Sequence, residues 1–106
     1  MPEDLVGKAL HTSNKEEILI LSKNNNTEVR QSIASNKNTS RNILEELSAD
    51  DSEDVRMGVA ENDNTPLSIL EVLSTDLSRH VRIRISLNRI STQSTLESLS
   101  KDDDNV

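Results

Sequence analysis

Apolar residues in this chain recur in small, fixed sets. Val29, Ile33 and Ala34 form one set, and Ile43, Leu44 and Leu47 a second; both return 26 residues later, as Val55, Val59 and Ala60 and then Ile69, Leu70 and Leu73. A third round opens with Val81 and Ile85, carries Ser86 in place of Ala, and continues in part as Leu96 and Leu99. Spacings of four and five put the first set on one face of a short helix of about two turns. The second set, at i, i+1 and i+4, is the stripe of a helix packed on one side, and this second helix reads as the longer of the pair. Asn36, Asn62 and Asn88 follow the first helix, where a left-handed residue is wanted and Asn is the best alternative to Gly. Thr39, Thr65 and Ser91 stand where a side-chain oxygen can cap the next helix. Pro66 takes the first helical position, where its missing N–H is harmless.

A fixed period of this length predicts an all-α stack of two-helix units, because one such unit cannot bury its own apolar stripe. We read a single domain over residues 1–106, with units at 29–54, 55–80 and 81–106 behind a degenerate N-terminal capping unit at 1–28. In that cap Ser13 and Glu16 make a capping box, and Ile18, Leu21 and Ser22 align with Leu44, Leu47 and Ser48. Val81 to Leu87 alternates as a strand would, yet the repeat register requires a helix there, with Val81 and Ile85 inward.

The consensus is Val-Arg, a small apolar pair, Asn, then Asn-Thr-Pro, Ile-Leu, Leu-Ser and Asp, best seen at Val55, Arg56, Asn62, Asn64, Thr65, Pro66, Ile69, Leu70, Leu73, Ser74 and Asp76. It resembles the leucine-rich repeat variant family, within the HEAT- and armadillo-like helical repeats. The likeness covers residues 29–102 well and 12–28 poorly, and Ser86, Ile90 and Thr95 depart from it. The resemblance implies a short α-solenoid, an alpha-alpha superhelix of about four 26-residue units, used mostly for protein interaction.

Composition narrows the chemistry. There is no Phe, Tyr or Trp, so the core must be built thinly from Leu, Ile, Val and Ala. A formal net charge of -7 opposes general adsorption to nucleic acid or to an anionic membrane, which makes protein the expected partner. The absence of Cys excludes disulfides and thiolate metal sites. Met1, Pro2, Glu3 and Asp4 open no signal-like apolar run, and nothing approaches the roughly 20 apolar residues of a membrane span. A cytoplasmic protein is the expectation. His11 and His80 lack metal-ligand spacing, and two glycines are too few for a phosphate-cradling loop. We therefore expect no enzyme, no metal and no cofactor.

Two charged patterns remain. Asp50 precedes Arg56 by six residues, Asp76 precedes Arg82 by six, and Asn24 precedes Arg30 by six, which suggests a structural ladder of Asp–Arg pairs across the inter-unit turns. Arg79, His80, Arg82, Arg84 and Arg89 make 79–89 the basic part of an acidic chain. Within it Ile83 and Leu87 form an apolar pair four apart, and Met57 is the counterpart of Ile83. Met57, Ile83, Arg84, Leu87 and Arg89 are the candidate face for an acidic protein partner or for a second copy of the chain. Nucleic-acid binding through 79–89 is the alternative, opposed by the net acidity and by the lack of stacking aromatics.

Overall fold

The computed structural model describes residues 4–88. The expectations at Arg89, Ile90, Ser91, Thr95, Leu96, Leu99 and the acids 102–104 lie outside the described residues. Seven helices follow one another: α1 (Leu5–His11), α2 (Lys15–Leu21), α3 (Thr27–Ser35), α4 (Arg41–Leu47), α5 (Glu53–Glu61), α6 (Leu67–Leu73) and α7 (Arg79–Leu87). Among the described residues there is no strand, so the alternating segment at 81–87 is helical.

Helix lengths reverse the sequence expectation. α3, α5 and α7 have nine residues each, and α4 and α6 seven. The reason is the cap: α3, α5 and α7 start two residues before their Val, behind Asn26, Ser52 and Ser78, whose side chains accept from Glu28, Asp54 and Val81 N–H groups. Thr39 and Thr65 do not cap. Their hydroxyls turn back and donate to the carbonyls of Ile33 and Val59 at 2.6 and 2.7 Å, while Ser40 and Pro66 take the cap positions of α4 and α6 without a side-chain bond. In the first unit the cap of α2 is Asn14, accepting from the Glu17 N–H, in place of the expected Ser13 and Glu16 box.

The odd-numbered helices pack in chain order, α1 on α3, α3 on α5 and α5 on α7, with α2, α4 and α6 against their flanks. Burial follows the apolar sets: Val29, Ile33 and Ala34, Val55, Val59 and Ala60, Val81 and Ile85 join Ile43, Leu44, Leu47, Ile69, Leu70 and Leu73 in one core, which Ala9, Ile18 and Leu21 extend into the first unit. Ser86, where the pattern wants Ala, is exposed.

Gly58 sets the approach of α5 to α3. A Cβ there would lie 2.8 Å from the Ala34 Cβ and 3.0 Å from the Gln31 carbonyl oxygen, which is backbone and cannot swing aside. Overpacking of this kind costs about 1–3 kcal/mol, against a gain of about 1 kcal/mol in helix propensity for Ala over Gly. Gly58→Ala is therefore expected to lower the unfolding free energy by about 1 kcal/mol in urea titration. A raised midpoint would mean that α3 and α5 part freely.

Candidate partner-binding face

Most conspicuous polar residues are consumed by the fold. Asn36, Asn62 and Asn88 are buried and extended, with φ between -72 and -75° and ψ between 122 and 130°, so none is the left-handed residue the sequence suggested. Each side chain instead reaches back one unit. Asn36 Nδ2 donates to the carbonyls of Ala9 and Thr12, Asn62 Nδ2 to those of Ala34 and Asn36, and Asn88 Nδ2 to those of Ala60 and Asn62. Oδ1 of Asn36 and Asn62 accepts from the N–H two residues on. The asparagines thus satisfy carbonyls left open at the end of the preceding first helix, which is why this residue type recurs at a buried position.

The Arg–Asp ladder is built differently from the expected six-residue pairing. Arg30 grips the Asp50 carboxylate with Nε at 2.8 Å and Nη2 at 3.3 Å, and Arg56 grips Asp76 at 2.9 and 3.2 Å, so each carboxylate partner lies twenty residues later. The six-residue relation is a contact to backbone: Arg56 Nη1 donates to the carbonyls of Asp50 and Asp51, as Arg30 does to Asn24 and Asn25 and Arg82 does to Asp76. One planar fork therefore joins the turn before a first helix to the turn after the same pair.

Each acid also accepts from the next helix start, Asp50 from Ser52 N–H and Asp76 from Ser78 N–H. Burial pushes both carboxyls up. The arginine bonds, the backbone N–H and the charges of two arginines outweigh it, and both acids sit below the ordinary value of 3.8. Bonding to Asp50 in turn raises Arg30. Arg30 and Arg56 are thereby committed to carboxylates and carbonyls.

What remains is α7. Val81 and Ile85 turn inward, whereas Ile83 is 47% and Leu87 69% exposed. Arg79, His80 and Arg82 are exposed beside them. Arg84 leans toward α5 and pairs with Glu61 at 2.9 Å, so it belongs to the edge of the face. Met57 does not belong to it: this side chain is half-buried and packs on the core. Arg89 lies outside the described residues.

A second surface was missed from sequence. A groove between α1 and α2 is lined by Leu5, Lys8, Glu16, Glu17, Ile20 and Leu21, with Lys8 bound to Glu17 at 3.0 Å. Bonds from Thr12 and Lys8 hold the Glu17 carboxyl below its ordinary range. Its signal was Ile20, which has the acid Glu46 as counterpart on α4 and is 70% exposed.

Among the described residues no group of His, Asp or Glu is arranged to hold a metal ion, and no helix is long and apolar enough to cross a membrane. No protein-family model, curated protein or solved structure matches the chain.

Proposed function

We propose that the chain is a non-catalytic scaffold, a short α-solenoid of about four two-helix repeats similar to the leucine-rich repeat variant, that docks a protein partner on the outer side of α7. The observation that carries this reading is the exposed pair Ile83 and Leu87, set among Arg79, His80 and Arg82 on a helix without a single acid. Apolar anchors with a cationic rim suit a partner surface that is apolar at its centre and acidic at its edge. The repeated asparagine and arginine contacts supply rigidity, so little ordering cost accompanies docking. A cytoplasmic location is part of the same proposal.

Ile83→Asp with Leu87→Asp is the test. Protein captured from native lysate by the wild-type chain and identified by mass is expected to bind the double variant at least about tenfold more weakly. Circular dichroism should show unchanged helix content, since both side chains are exposed. Equal capture by a folded double variant would remove α7 as the docking face. Titration against duplex DNA at two salt concentrations separates nucleic-acid binding, which would require a steep salt slope abolished by charge reversal at Arg79 and Arg82.

A further inference from the structure

Inside the stack, the counterparts of three α7 residues show what that side of the helix does. On α5, Glu53 accepts from the Ser78 hydroxyl and Glu61 pairs with Arg84, so these positions reach onward to α7; Met57 stands between them. One period later the same positions hold Arg79, Ile83 and Leu87, all exposed. α7 thus presents onward the face that α5 gives to α7. At the opposite end lies the groove between α1 and α2, about 350 Å³ in volume, with Leu5, Ile20 and Leu21 as its apolar part. No residue of α3 lines it, so it opens away from the following helices.

Charge distinguishes the two ends. Arg79 and Arg82 accompany Ile83, whereas Glu16 and Glu17 in the groove outnumber Lys8, which is already bound to Glu17. We propose that these ends meet, Ile83 and Leu87 of one copy seating against Leu5 and Ile20 of a second with Arg79 facing Glu16, so that the chain assembles head to tail. The proposal rests on the reading of α7 as a protein-docking face and names its partner. Apolar burial supplies the attraction and opposite charge fixes the polarity. Because the two surfaces differ, a pair of copies keeps one open end of each kind, so assembly continues past two copies as concentration rises.

Sedimentation velocity of the full chain over a roughly hundredfold concentration range should show a weight-average mass that rises past the dimer. Ile83→Asp with Leu87→Asp blocks one end and Ile20→Asp the other, all at exposed positions. Each variant alone is expected to be monomeric, and an equimolar mixture, having one intact end of each kind, is expected to form a dimer and nothing larger. A monomeric mixture, or a wild-type assembly that stops at two copies, overturns the proposal. A wild-type chain monomeric throughout also overturns it, including the case in which its own residues 89–106 cover α7. If that monomer still captures a protein that the α7 variant loses, docking at α7 stands and self-assembly alone falls.

Discussion

Asn62→Ala is expected to lower the unfolding free energy by about 2–4 kcal/mol, a large share of the 5–15 kcal/mol typical of a domain. The side chain is 5% exposed and has three bonds: Nδ2 to the carbonyls of Ala34 and Asn36 at 2.8 and 3.0 Å, and Oδ1 from the Asn64 N–H at 2.8 Å. Truncation strands two buried carbonyls, each costing roughly 1–3 kcal/mol when its donor is lost, while the exposed Asn64 N–H turns to water. Two controls separate this account from a turn preference. Asn62→Gly should cost at least as much as Ala, because φ is -75° and the freedom of Gly at positive φ is worthless there. Asn62→Leu fills the volume but supplies no donor, and it should remain about 2 kcal/mol or more below wild type. Urea titration of the three variants checks the order. A loss under about 0.5 kcal/mol in Asn62→Ala would show that water satisfies the carbonyls as well as the amide does.

The core was legible because burial in a helical pair is a one-dimensional matter: apolar side chains at 29, 33 and 34 or at 43, 44 and 47 share a face whatever else the chain does. The strand-like alternation of 81–87 yields to the same periodicity, and the helix α7 is there. Helix ends were less legible, since Asn26 lies between Asn25 and Thr27 and Ser52 follows Asp51, and only the backbone decides which one caps. The asparagine and arginine contacts were legible as recurrences but not as bonds. Their partners lie 20 to 28 residues away, brought close by the packing of α1 on α3, α3 on α5 and α5 on α7, and sequence spacing alone favours the nearer residue. The candidate face divides the same way. Ile83 and Leu87 stood out because their register forbids burial within the pair, whereas Met57, at the position of Ile83, is half-buried and packs on the core. The groove at α1 and α2 escaped notice because the first unit has drifted from the period that exposes such positions.

Arg56→Ala is expected to lower stability by about 1–3 kcal/mol at neutral pH. The guanidinium side chain is 18% exposed and its Asp76 partner 10%, so the pair is shielded from the screening that makes surface pairs nearly worthless. Its loss leaves Asp76 with the Ser78 N–H and strands the part-buried carbonyl of Asp50, while the exposed Asp51 carbonyl turns to water. Acid separates these contributions. The Asp76 carboxyl sits below its ordinary value of 3.8 in the folded chain, so the stability it contributes is complete above that value and is lost as pH falls through the folded value. Wild type should therefore weaken below pH 3.8, and Arg56→Ala, in which the Asp76 carboxyl returns toward its ordinary value, should weaken less. The gap between the two stability curves is expected to narrow in acid toward the share supplied by the carbonyl bonds alone. Asp76→Asn, which retains an acceptor but no charge, should show the same flattened dependence with Arg56 in place. A gap that stays constant from about pH 7 to about pH 2.5 would assign the whole effect to the two carbonyls and leave the carboxylate without a role in the clamp.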